Sequence, residues 1–186
     1  SPKFLHAGPG FGGSCFPKDV LGLFHIAKDN NIDVDLIQGI LETNTKQKLF
    51  MVDKFKSLMG GDINGKKISI LGIAFKPNTD DIREAPSLVI IEEFLNAGAI
   101  VCGYDPVSAP AVKKVFPDVE FTNNIEKSLH NASGAILVTE WNELRALQPE
   151  YVKNLMKGNV FFDCRNIYKP DVWINAGFNF GNVGRR

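Results

Sequence analysis

The chain has 186 residues, 44% hydrophobic and 23% charged, a composition that suits one globular domain or two small ones and excludes disordered and collagen-like chains. Lys and Arg number 21 and Asp and Glu 21, so the formal net charge is zero and no long-range field gathers nucleic acid or anionic lipid. No apolar run nears the ~20 residues of a membrane span, and Ser1-Pro2-Lys3-Phe4 carries no apolar signal segment, so the expectation is a cytoplasmic chain with no nucleic-acid or membrane partner.

After Pro17, which suits a first helical position, Val20, Leu21, Leu23, Phe24 and Ile26-Ala27 recur at helical intervals and predict a helix over Lys18–Asn30. A longer pattern from Val34 to Met59 carries Leu36, Ile37, Ile40, Leu41, Leu49, Phe50, Val52, Phe55 and Leu58, and stops at Gly60-Gly61. Its polar middle, Glu42 to Gln47, breaks the apolar stripe, so this helix is expected to meet different neighbours along its length. Gly60 to Gly65 reads as a junction between a helical part, residues 1–62, and a second domain, residues 63–186. There Lys67 to Gly72 is a buried-strand run, Pro86 to Ala97 an apolar helix and Ile100 to Tyr104 a strand, which makes a βαβ unit. Strand-like runs at Gly134–Val138 and Val160–Asp163 alternate with helical or loop stretches around Ala109–Val115 and Pro149–Met156, and a terminal strand falls near Phe178–Gly184. The predicted class is α/β: a helical segment followed by a Rossmann-like domain with a mainly parallel sheet.

The densest chemical feature is Gly8-Pro9-Gly10-Phe11-Gly12-Gly13-Ser14-Cys15-Phe16-Pro17-Lys18-Asp19. Gly8, Gly10 and Gly13 spell G-x-G-x-x-G, yet no strand precedes them, so the dinucleotide reading lacks its structural context. The stretch does offer a glycine loop that a ligand can approach closely, with a thiol at the mouth of a helix. A helix N-terminus and the nearby Lys18 favour thiolate, which makes Cys15 a candidate nucleophile; an inert cysteine in a tight turn fits the pattern equally well. Asp19, one turn on, could orient water.

Gly72 to Glu84 follows the first strand and places Phe75, Lys76 and Arg83 at a sheet edge where α/β proteins bind ligands. The cations suit a phosphate, although Asp80, Asp81 and Glu84 could simply neutralise them. Asp105 resembles a ribose-binding acid or starts a turn, and Arg165 in Phe162-Asp163-Cys164-Arg165-Asn166 suits a phosphate or an ordinary ion pair. Trp141 and Trp173 read as packing residues, and Cys102 as core. Cys15, Cys102 and Cys164 are too far apart for a disulfide framework or a zinc site, and His6, His25 and His130 lack paired ligand spacing, so no metal is expected.

Phe4-Leu5-His6-Ala7-Gly8, the Gly10–Asp19 motif, Gly72–Glu84 and Asp163-Cys164-Arg165-Asn166 together, in order and spacing, resemble the UDP-glucose 6-dehydrogenase family of nucleotide-sugar dehydrogenases over essentially the whole chain. The resemblance implies the last part of such an enzyme, beginning just before the cysteine loop and without the N-terminal NAD domain. It implies Cys15 as nucleophile and Asp19 as the group that helps activate water. Phe4, Leu5, His6, Ala7, Gly8 and Gly12 would form the loop around the sugar nucleotide, with Phe75, Lys76 and Arg165 binding the substrate and Lys18 and Arg83 reaching NAD. UDP-glucose, NAD and a second copy of the chain, paired through the long helix, are the implied partners. Cys164 departs from the pattern, which has a small glycine beside the arginine, and the family's catalytic lysine and asparagine lie upstream of Ser1. The implied reaction oxidises the glucose C6 alcohol to a carboxylate through a cysteine thiohemiacetal and thioester. Dehydrogenation of UDP-N-acetylmannosamine or GDP-mannose, or a non-catalytic nucleotide-binding and dimerisation module, are the rival readings.

Overall fold

The computed structural model describes residues 5–184. Two helices come first, α1 (Phe16–Asp29) and α2 (Asp35–Leu58). After them strands and helices alternate: β1 (Lys67–Leu71), α3 (Pro86–Asn96), β2 (Ile100–Tyr104), α4 (Ala109–Val115), β3 (Glu120–Thr122), α5 (Ile125–Leu129), β4 (Gly134–Leu137), α6 (Asn142–Arg145), α7 (Pro149–Leu155), β5 (Val160–Asp163), α8 (Pro170–Asn175) and β6 (Asn179–Asn182). The strands form one sheet in the order β3-β2-β1-β4-β5-β6, and every neighbouring pair is parallel. This bears out the α/β class. Three short helices, α5, α6 and α8, and the three-residue β3 go beyond the predicted elements; none is long enough to display a hydrophobic period. Helix α1 takes in Phe16 and Pro17 ahead of the predicted start, with proline in the first turn, where its missing N–H costs no helical bond.

Strand alternation builds a core on each face of the sheet. On one face Ile68, Ile70, Val101, Ile136 and Phe162 pack with Met51, Val52 and Phe55 of α2 and Ile90, Ile91 and Phe94 of α3. On the other, Leu71, Ala135, Leu137 and Phe161 meet Leu129, Val152 and Trp173 from α5, α7 and α8. Full burial of each large side chain contributes about 1.5–3 kcal/mol, which outweighs the modest helix propensity of such short segments. Helix α2 is divided by environment: its C-terminal half enters the first core, whereas Leu36 is 79% exposed and Ile40, Leu49 and Phe50 also reach solvent. Gly60 and Gly61 then end it in left-handed backbone, at φ +85° and +91°. Among the described residues no helix is long and apolar enough to cross a membrane.

The chain builds outward from β1 to β3, then returns to β4 and builds the other way, which opens a crevice beyond the carboxyl ends of β1 and β4. Buried Asp105, just after β2, shapes this edge. One carboxylate oxygen accepts hydrogen bonds from the N–H groups of Ile73 (2.8 Å) and Ala74 (3.0 Å) and from the Trp141 indole (3.1 Å). The other accepts from Val107 and Ser108, at 3.1 and 2.8 Å. Asp105 therefore starts a turn and ties three loops, and the ribose-acid reading fails because both oxygens are committed to the fold. Trp141, read as packing, is buried and also supplies one of these bonds. Asp163 plays the matching part at the end of β5, accepting from Arg165, Ile167 and Tyr168 backbone N–H groups; burial pushes its carboxyl pKa up against the opposing pull of those bonds.

Asp105→Ala leaves several buried donors without an acceptor, a cost of about 3–5 kcal/mol. Thermal unfolding should show a midpoint roughly 6–20 °C below the parent. A midpoint within about 3 °C would mean that these loops hold their shape without the carboxylate.

Candidate active site

The cysteine loop is placed by backbone packing. A Cβ on Gly12 would lie 2.3 Å from the Glu84 carbonyl oxygen, so only glycine permits this approach. Gly13, at φ +88°, donates its N–H to the Arg83 carbonyl at 2.8 Å, and a Cβ there would run into the Phe75 ring at 2.7 Å. The glycines thus dock one loop onto another: among the described residues Gly12 and Gly13 of the G-x-G-x-x-G stretch are taken up by packing on Glu84, Arg83 and Phe75. Cys15 stands at the N-cap of α1, exposed, with the Ser14 hydroxyl 3.7 Å from its sulfur. The Asp19 N–H donates to the Cys15 carbonyl at 2.8 Å, which fixes the carboxylate one turn from the thiol. Lys18 and Asp19 form a loose, exposed ion pair at 3.6 Å.

Opposite lies the loop after β1. Its Arg83 guanidinium grips Asp81 through Nε (2.9 Å) and Nη2 (2.7 Å), which holds the Asp81 carboxyl below the usual carboxylate range. Asp81 thus pairs closely with Arg83, whereas Lys76 forms no close ion pair among the described residues and acts on Asp81 only at longer range. The exposed Lys76 ammonium instead lies 5.2 Å over the Phe75 ring.

Arg165, after β5, is the tie between these parts. Its Nε donates to the Val138 carbonyl (2.6 Å) with a Glu140 carboxylate oxygen 3.1 Å away, and its Nη2 donates to the Phe75 carbonyl (3.3 Å). A Cβ on Gly8 would stand 3.1 Å from Nη1. Of the two sequence readings of Arg165, a phosphate contact or an ordinary ion pair, the ion pair is present, to Glu140. Gly8, Gly12, Phe75, Lys76 and Arg165 thus meet along one rim. Leu5, His6 and Ala7 are exposed at its end, and Phe4 lies outside the described residues. Cys102 and Cys164 are buried away from solvent, and burial raises both thiol pKa values.

Three contributors escaped the sequence reading. On one face of α2, Asn44 accepts from the Phe11 N–H (2.7 Å) and donates to the Phe11 carbonyl (3.1 Å), Gln47 donates to the Gly8 carbonyl (2.9 Å), and Lys48 donates to the Glu84 carbonyl (3.3 Å). Lys48 is buried, and desolvation lowers its pKa despite the Glu84 carboxylate 4.0 Å away. Their i, i+3, i+4 spacing inside an apolar helix was the available signal.

Comparison with known proteins gives the family. Residues 69–170 match the UDP binding domain of the UDP-glucose/GDP-mannose dehydrogenase family, and residues 1–46 match its central domain. UDP-glucose 6-dehydrogenase of Rhizobium meliloti is 41% identical over 183 residues, 98% of this chain and 42% of that protein. UDP-glucose 6-dehydrogenase TuaD of Bacillus subtilis is 40% identical over 98% of this chain and 40% of that protein. The chain thus spans about 40% of the length of these relatives. Among solved structures, a UDP-glucose dehydrogenase from Pyrobaculum islandicum superposes with a TM-score of 0.78 at 30% identity, covering 87% of this chain and 36% of that one. An NDP-N-acetyl-D-galactosaminuronic acid dehydrogenase from Methanosarcina mazei Go1 reaches 0.84 at 27% identity, covering 96% and 39%. Matched by both the central-domain and the UDP binding domain models of one family, and 41% identical to one of its members over 98% of its length, the chain belongs to the UDP-glucose/GDP-mannose dehydrogenase family.

Proposed function

We propose that this chain is the substrate-binding and nucleophile-bearing part of an NAD-dependent UDP-glucose 6-dehydrogenase, inactive without the rest of that enzyme. The observation that carries the reading is the docking of the Cys15 loop onto the β1 loop through Gly12 and Gly13, which brings an exposed thiol to the edge occupied by Lys76 and Arg165. Lys76, exposed and with no close ion pair among the described residues, is a cation for a phosphate, and the Gly8 backbone beside Arg165 borders the sugar nucleotide.

The residues present suit NAD only as contacts at a margin. Asp105 is committed to the fold and the glycines to packing, so the described sheet edge is not built as a dinucleotide site, whereas exposed Lys18 and Arg83, each already paired with a carboxylate, flank the cysteine loop and would reach NAD from its margin. Bound NAD supplies the acceptor for the electron pair removed in each oxidation. In this reading the Cys15 sulfur adds to the C6 aldehyde formed by the first oxidation; a C–S bond forms and the carbonyl oxygen takes a proton. Removal of the C6 hydrogen with its electron pair, and of that hydroxyl proton, leaves a thioester. Water held by Asp19 gives up a proton, its oxygen attacks the acyl carbon, and the C–S bond breaks to give the carboxylate and free thiol. Lys76 and Arg165 keep C6 facing the sulfur throughout.

A second reading, oxidation of another nucleotide sugar such as UDP-N-acetylmannosamine or GDP-mannose, is favoured by the higher TM-score to the N-acetylgalactosaminuronic acid enzyme. Titration of the chain with UDP-glucose and GDP-mannose separates the two: tighter binding of GDP-mannose would reject the UDP-glucose assignment. The exposed apolar residues on the N-terminal half of α2 support a homodimer through that helix.

Three outcomes are expected. Lys76→Ala should weaken UDP-glucose binding by roughly ten- to a hundredfold, from about 1.5–3 kcal/mol for a charge-assisted contact, whereas Cys15→Ser should leave it nearly unchanged; calorimetry giving equal losses would dismiss the division of roles. Alkylation with peptide mapping should label Cys15 ahead of the buried Cys102 and Cys164, and preferential labelling of either buried thiol would count against Cys15 as nucleophile. Sedimentation should find a dimer that Ile40→Glu dissociates, and a concentration-independent parent monomer would rule out pairing through α2.

A further inference from the structure

The glycine loop has two attachments. One joins it to the β1 loop; the other joins it to α2, and the proposed mechanism does not use that second one. Asn44 meets Phe11 with both ends of its amide, at 2.7 and 3.1 Å, in the manner of a strand neighbour. Gly10, at φ +112°, lies so close that a Cβ there would be 2.8 Å from the Asn44 Oδ1. Gln47 takes the Gly8 carbonyl, and the buried Lys48 reaches past the loop to the Glu84 carbonyl, the same oxygen that excludes a side chain at Gly12. The non-glycine Glu84 is held at φ +53°, a left-handed conformation that its surroundings must impose. Polar side chains at three positions of one helix face thus hold four backbone groups of two loops, in a helix whose next turn sends Met51 and Val52 into the core.

We propose that Asn44, supported by Gln47 and Lys48, is a positioning residue for the nucleophile: it sets the height and direction of the Gly8–Gly13 loop and thereby the placement of Cys15 at the substrate edge. This rests on the reading of Cys15 as the reacting thiol. Asn44 acts through backbone and touches no reacting atom. A two-ended amide is the chemistry suited to the task, because it satisfies a donor and an acceptor of the same residue and so fixes rotation as well as distance. Alanine would leave both groups of Phe11 to water and free the loop, while aspartate would keep the bond from the Phe11 N–H and lose only the return bond.

The test compares the parent 186-residue chain with Asn44→Ala, Asn44→Asp and Gln47→Ala. The rate constant for alkylation of Cys15 by iodoacetamide is followed by peptide mapping, with Cys102 and Cys164 as internal reporters of unfolding. Asn44→Ala should change the Cys15 rate by about fivefold or more while the two buried thiols stay protected, and Asn44→Asp should recover most of the parent rate. If Asn44→Ala exposes the buried thiols, Gln47→Ala, which removes a single bond, carries the comparison and should shift the Cys15 rate by about threefold. Cys15 rates within about twofold of the parent in every variant that keeps its buried thiols protected would overturn the proposal, as would rate changes that appear only together with labelling of Cys102 and Cys164. UDP titration of the parent is an independent arm: loss of UDP binding there defeats the substrate-binding reading and leaves the thiol comparison intact.

Discussion

A carbonyl oxygen at Glu84 with no room in front of it is the constraint on which the rest of the site depends. Because a side chain at residue 12 would overlap that oxygen, and because Gly13 bonds the neighbouring Arg83 carbonyl, the cysteine loop can meet the sheet edge in one register. From that contact follow the opposition of Cys15 to the β1 loop, the approach of Gly8 to Arg165 and the placement of Phe75 under Gly13. The chain achieves this with main-chain groups, which have few degrees of freedom to lose, rather than with long side chains, whose immobilisation is entropically costly. Side chains then brace the arrangement from behind: Asn44, Gln47 and Lys48 on one side, Asp105 and Arg165 on the other.

The parts legible in the sequence are those in which local pattern and tertiary environment agree. Ile68 and Ile70 announce β1 because both lie on a strand buried on each face, and the apolar stripe of Pro86 to Ala97 announces α3 because its other side meets water. Strand β3 could not be read because Glu120-Phe121-Thr122 is too short for a period and owes its conformation to pairing with β2. The same holds for α8, six residues that become helical because Trp173 has a cluster of aromatic rings to pack into.

At the site, the glycine-cysteine motif and the Gly72–Glu84 loop with Lys76 and Arg83 stood out since unusual composition survives without context. The roles of Asp105 and Arg165 did not, for a strand-end acid or arginine looks alike in sequence whether it faces a ligand or the backbone. Hydrogen-bond accounting separates the cases: both oxygens of Asp105 face inward, while Arg165 commits Nε and Nη2 to carbonyls and leaves Nη1 toward Gly8. Asn44 and Gln47 were read as an interruption of an apolar stripe because their partners, Phe11 and Gly8, lie 33 and 39 residues away in the chain.

Helix α2 is also a rod clamped at one end. Its core-bound portion begins at Met51, and at ~1.5 Å per residue Asn44 stands roughly 10 Å, and exposed Leu36 roughly 22 Å, beyond that clamp. A tilt about the clamp therefore moves Asn44 a little under half as far as Leu36, so a displacement at the outer end reaches the glycine loop at reduced amplitude. The mechanical advantage of this lever makes the loop tolerant of small displacements at the outer surface and answerable to large ones.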